Sequence, residues 1–158
     1  MRLSEIIPEG CICDDLAAVE KEPVIKEMVQ ALVAAGRVQE SAAKKVVKAL
    51  MDREELGSTG IGSSVAVPHA KHDAIQDLVC AFGRSRKGVN FDALDGEPVH
   101  VVFLLLSSKS ASGAHLEALA AISRLVRNEK FVRFLRDAKD VKDIRDLLSE
   151  ADQSLGEA

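Results

Sequence analysis

Between Val99 and Leu106 the chain reads VHVVFLLL, an apolar run broken only by His100. The run is too short to cross a bilayer, which takes about 20 apolar residues in a helix. Its length and its Val and Phe content favour a β-strand. Because the apolar residues are nearly continuous instead of alternating, both faces of that strand must be covered, as in a central strand with helices packed on each side. This one segment therefore calls for a layered α/β architecture and asks the rest of the chain for helices and flanking strands.

Both are present. Val24, Ile25, Met28, Leu32 and Val33 fall at helical spacing, and Gly36 stands where a helix commonly stops. A second amphipathic helix is expected from about Glu40 to Glu54, with Ala43, Val46, Val47, Leu50 and Met51 on one face and Arg53 near its C-terminal end. Strand-like runs lie at Val65 to Val67 and Leu78 to Gly83, followed by a turn-rich RSRKGVNFDALDGEP stretch. After the polar SSKSASGA loop, helices are expected over 115–127, 130–138 and 141–148. The pattern predicts one domain over residues 1–150, a three-layer α/β/α sandwich around a small β-sheet, with 151–158 as a frayed tail.

Composition narrows the function. Hydrophobic residues make up 47% of the 158, yet aromatic ones only 3%, with no Trp or Tyr, so the core must be aliphatic. A formal net charge of −4 argues against a nucleic-acid footprint, which needs a clustered basic face. The N-terminus MRLSEIIPEG has no signal-peptide core, and no segment is long enough for membrane insertion, so a cytoplasmic location is expected. Cys11, Cys13 and Cys80 lack C-x-x-C spacing and read as small buried thiols.

The segment LGSTGIGSSVAVPHAKH, Leu56 to His72, is where chemistry is most legible. Its glycines match neither a phosphate-binding loop with a following Lys-Ser/Thr nor G-x-G-x-x-G. His69 and His72 have H-x-x-H spacing, but three residues apart at a strand end they point to different sides, so a metal site is disfavoured. No G-x-S-x-G elbow supports a hydrolase triad. His69 could instead carry a phosphoryl group, since neutral imidazole is a nucleophile near pH 7. Pro68 would hold the backbone extended before it. A guanidinium and a further donor would have to meet the phosphoryl oxygens, and Arg53 and His115 could supply them. On residue types alone, an arginine placed like Arg53 is usually a helix-end charge, and a histidine placed like His115 is often a helix-start residue.

Three ordered blocks, REELGSTGIGSSVAVPHAK (Arg53 to Lys71), VNFDALDGEPVHVVFLLL (Val89 to Leu106) and HLEALAAISRLVRNE (His115 to Glu129), resemble the fructose/mannitol-type enzyme IIA domain of the bacterial phosphotransferase system. The likeness runs from about Leu3 to Leu148 and is nearest to the free-standing nitrogen-regulatory branch. The family's phosphoryl-accepting histidine follows the proline of A-x-P-H, here Ala66-Val67-Pro68-His69. Its R-E-x-L arginine is matched by Arg53, and the histidine opening H-L-x-x-L by His115.

The resemblance implies a mixed sheet and a phosphohistidine carrier that takes its phosphoryl group from an HPr-type phosphocarrier. It implies a regulatory phosphorelay role or, alternatively, a sugar-specific IIA passing phosphate to an enzyme IIB. A non-catalytic pseudo-domain is a further alternative. No cofactor or metal is implied. The chain departs from the family at Ser64 and Ala70, where glycine is common, and in SSKSASG, where a proline usually follows the Leu-rich strand. Donors from the Gly57 to Ser64 turn are expected to supplement the site, and His72 is expected to face water.

Overall fold

A computed structural model describes residues 1–156. The elements are α1 (Leu3–Ile6), β1 (Ile12–Cys13), α2 (Lys21–Ala34), a short 3-10 turn (Glu40–Ala42) leading into α3 (Ala43–Glu55), β2 (Gly60–Gly62), β3 (Val65–Ala66), β4 (His69–Lys71), β5 (Val79–Val89), β6 (Val99–Ser107), α4 (Ser112–Val126), α5 (Glu129–Asp137) and α6 (Val141–Gly156).

The run at 99–106 is the central strand that its composition demands. β5 pairs antiparallel along one edge of β6, while β3 and then β4 pair parallel along the other. β1 adds to β5 in parallel, and β2 closes a tight antiparallel hairpin with β3. The sheet is thus mixed and open, in the order β1-β5-β6-β3-β2, with β4 also on β6. α2 packs on β5 and α3 on β4, forming one helical layer. α4 and α5 pack on β6 and α6 on β1. Every β6 side chain except His100 is buried, and Phe82 and Phe103 meet edge to face at 5.1 Å across the β5–β6 ladder.

The differences from the sequence reading have physical reasons. β5 runs past Gly83 to Val89, with a register shift after Arg84, because Arg84 is fully buried and the Ser85 carbonyl accepts a bond from His100 Nδ1 at 2.8 Å. His100 is accordingly a satisfied sheet-end histidine. α6 continues through 151–156, the stretch expected to fray. Ala151 is buried there, and the buried Asp152 carboxylate accepts the Leu3 N–H at 2.6 Å and the Ser4 N–H at 3.0 Å at the start of α1. Residues 157–158 of the expected tail lie outside the described residues.

Ser63 and Ser64 turn the β2–β3 hairpin with φ of 56° and 72°, the left-handed region that glycine adopts without cost. Ser64 Oγ is held there by Arg136 at 3.2 Å. Ala70, by contrast, lies in extended β4 with its side chain buried, so a Cβ is accommodated. Among the described residues no helix is long and apolar enough to cross a membrane.

Candidate functional site

Three elements converge at the C-terminal end of β6. The parallel register of β4 sets His69 opposite Leu105 and Lys71 opposite Ser107. α3 ends beside them and delivers Arg53 from its last turn, while the first turn of α4 delivers His115. The three side chains anticipated from the sequence line one open cleft of ≈570 Å³, together with Lys71 and the apolar Leu56, Leu116 and Leu119. Leu56 is 85% exposed and Leu116 64%, a solvent-facing apolar rim beside charged and imidazole groups.

His69 is half-buried, and its orientation is fixed by its own segment. Pro68 has no N–H to donate. The Val67 N–H turns to the Thr59 carbonyl at 3.0 Å, and the Val67 carbonyl lies 2.7 Å from His69 Nδ1. A carbonyl only accepts, so Nδ1 carries the proton and the neutral ring has its lone pair on Nε2. Burial pushes the His69 pKa below the ordinary histidine value, and the Arg53 guanidinium pushes the same way. The Val67 bond and Glu54 oppose them without reversing the direction. The imidazole is therefore mostly neutral at pH 7, with its lone pair on Nε2.

Arg53 donates one bond, to the Gly57 carbonyl at 2.9 Å, the only one it makes among the described residues. A guanidinium has five N–H donors, so most of this one remains available to an anion. The His115 ring lies 5.6 Å from that of His69, centroid to centroid, with its Nδ1 2.6 Å from the Ser107 hydroxyl. Burial, then the charges of His69 and Lys71, push the His115 pKa down to about 4.

That shift has a measurable sign. Between pH 6.5 and about 4 the unfolded chain binds more protons at this position than the native protein, so stability falls as the pH drops through that window. Each unit is worth about 1.4 kcal/mol, which caps the loss at about 3 kcal/mol. Thermal scans should show the wild type losing more stability across the window than His115→Asn does. Equal losses would contradict the assignment.

Other sequence expectations fare differently. His72 stands outside the cleft lining, its Nδ1 accepting the Ala74 N–H at 3.0 Å. In the Gly57–Ser64 turn, two of the N–H groups expected as donors are engaged within the protein. The Thr59 N–H is held by the buried Glu54 carboxylate at 3.1 Å and the Gly60 N–H by Ser58 Oγ at 3.0 Å. Glu54 also accepts from Lys21 Nζ at 3.2 Å. Among the described residues, no group of three or more His, Cys, Asp or Glu side chains could hold a metal ion. Ser107 and the Val67 carbonyl were not anticipated. Neither has a motif of its own, and each matters only through the nitrogen it faces.

The family model described as "Phosphoenolpyruvate-dependent sugar phosphotransferase system, EIIA 2" matches residues 5–151. The chain belongs to this EIIA family. A fructose-specific EIIABC component of Bacillus subtilis is 40% identical over 129 residues, 82% of this chain and 20% of that protein, so the chain spans about a fifth of that relative. A nitrogen regulatory protein of Bradyrhizobium diazoefficiens is 32% identical over 129 residues, 82% of each chain. The crystal structure of the nitrogen regulatory protein IIA-Ntr from Neisseria meningitidis superposes with a TM-score of 0.82 at 33% identity, covering 92% of this chain and 97% of that one. Membership brings the EIIA fold and places the chain among phosphotransfer components.

Proposed function

We propose that the protein is a phosphohistidine carrier that accepts a phosphoryl group on His69 Nε2 from an HPr-type phosphocarrier and acts as a regulatory phosphorelay protein. The observation that carries this reading is the Val67 carbonyl to His69 Nδ1 bond, which turns a neutral, unprotonated Nε2 into a cleft shared with Arg53 and His115. The Nε2 lone pair forms the new P–N bond as the P–N bond of the donor's phosphoimidazole breaks, and the donor ring keeps that electron pair. No proton has to leave Nε2, because it bears none. Arg53 and His115 meet the equatorial oxygens, over which charge spreads in a loose transition state. The Leu56 and Leu116 rim is the docking surface for the carrier, with an apolar centre and polar edges.

The 33% identity and TM-score of 0.82 to the solved nitrogen regulatory chain support the regulatory reading. The 40% identity to a fructose-specific component supports a second one, a sugar-specific IIA that hands its phosphoryl group to an enzyme IIB. Arg53, His69 and His115 standing together count against a pseudo-domain that needs none of them.

The test is intact mass spectrometry after incubation with phosphoenolpyruvate, its kinase and HPr. One acid-labile phosphoryl group, mapped to the peptide carrying His69, is expected. Adding a fructose-type IIB then separates the two readings, since rapid discharge marks a sugar relay and a persistent label marks a regulator. A folded, unlabelled protein would refute both.

A further inference from the structure

A phosphoryl group on His69 needs the neighbouring imidazole to present a proton to its oxygens, not a second lone pair. Nothing in His115 itself decides which nitrogen carries that proton, because the neutral ring has one N–H and two places to put it. The decision is made by whatever faces the nitrogen turned away from the cleft.

That neighbour is Ser107, the last residue of β6. It is fully buried, its hydroxyl lies 2.6 Å from His115 Nδ1, and its own carbonyl accepts the His72 N–H at 3.0 Å. A serine hydroxyl has one proton to place. Among the described residues, His115 Nδ1 is the only hydrogen-bond partner of this hydroxyl. Were Nδ1 the donor, the Ser107 proton would be buried without an acceptor, which is the costlier arrangement. The hydroxyl therefore donates, Nδ1 accepts, and the ring proton of neutral His115 resides on Nε2, across the ring.

We propose that Ser107 is a positioning residue that locks His115 in the Nε2–H tautomer, making it a hydrogen-bond donor to the phosphoryl group on His69. The proposal rests on the phosphocarrier reading given above. The two histidines, 5.6 Å apart, are then held in opposite tautomers by two different neighbours. The Val67 carbonyl accepts the His69 Nδ1–H and so leaves a bare Nε2 in the cleft, while the Ser107 hydroxyl donates to His115 Nδ1 and leaves the ring proton on Nε2, a donor there. Two identical side chains thereby take different roles in one cleft, set by a carbonyl on one side and a hydroxyl on the other.

Ring-nitrogen chemical shifts of ¹⁵N-histidine-labelled protein, recorded at neutral pH without any carrier, test this directly. In the wild type, His115 should show a pyridine-like Nδ1 and a protonated, pyrrole-like Nε2, with His69 showing the reverse. Ser107→Ala should average the two His115 nitrogens toward intermediate values and slow labelling by HPr about tenfold, since a tautomer error disables a catalytic imidazole. Ser107→Thr keeps the hydroxyl on a β-strand and should restore both. A wild-type His115 protonated on Nδ1 would overturn the proposal whether or not any variant folds. So would a folded Ser107→Ala with unchanged shifts. Failure of the wild type to be labelled counts against the phosphocarrier reading alone, because the nitrogen shifts are read without transfer.

Discussion

Arg53→Ala should lower the rate of phosphoryl transfer to His69 by about 10²- to 10³-fold, the range seen when one charged or polar donor to a transition-state oxygen is removed. His69→Ala should abolish labelling. The size of the Arg53 effect follows from its position. The guanidinium lines the same cleft as His69 and, among the described residues, makes one bond, to the Gly57 carbonyl. Lysine should recover only part of the loss, because an ammonium cannot bind two oxygens of one phosphoryl group in a planar fork. The measurement belongs at mildly alkaline pH. Arg53 helps to hold the His69 pKa down, so its removal lets that pKa rise, and at alkaline pH the ring is neutral in both proteins. Arg53 is partly exposed, so the melting temperature should change little and the kinetic loss should not be a folding loss. Unchanged kinetics in a folded Arg53→Ala protein would remove this residue from the proposed machinery.

The candidate site was legible in part because the three side chains proposed to carry its chemistry lie in segments that the sequence singles out. Pro68 before His69 marks its position locally, whereas an arginine at a helix end and a histidine at a helix start are ordinary there and are singled out by the resemblance to the enzyme IIA family. The cleft that joins them was not legible from residue types, because it depends on β4 resuming the parallel ladder on β6 after Pro68. Nor was Ser107, a polar residue closing an apolar strand, whose role is visible only once α4 folds back and sets His115 against it.

The fold shows the same division. The 99–106 run and the helical periodicities identify the central strand and the main helices, since burial on two faces or on one stripe leaves a direct imprint on residue order. β1, β2 and β4 are two or three residues long, too short for any period to show. The far half of β5 was hidden by RSRKG, a polar stretch that reads as a turn. Its strand character comes from long-range bonds that only the folded chain supplies.

Arg84 makes those bonds, and its replacement should have the largest effect on stability. The side chain is fully buried in β5. Nε donates to the Asp14 carbonyl at 2.6 Å, beside β1, and one terminal nitrogen donates to the carbonyls of Leu135 and Arg136 at 3.1 and 3.0 Å. The last two belong to the final turn of α5, whose carbonyls have no intrahelical partners and carry the negative end of the helix dipole. A single guanidinium thus ties the β1 edge, the sheet and the C-terminus of α5 together. Its other terminal nitrogen has no hydrogen-bond partner among the described residues, so part of the desolvation cost is not offset. Removing the side chain strands three carbonyls and leaves a void where it lay. Arg84→Ala should therefore cost about 3–5 kcal/mol, read as a lower urea midpoint with an unchanged slope. Lysine should recover less than half, because one ammonium cannot reach three carbonyls on two sides. The transfer site should not notice, since Arg84 is paired with Val101 and His69 with Leu105, further along the same strand. Folded Arg84→Ala protein, kept well below its lowered melting point, should be labelled at the wild-type rate. A cost below about 1 kcal/mol would mean that water replaces the guanidinium at these carbonyls and that the α5 terminus does not depend on it.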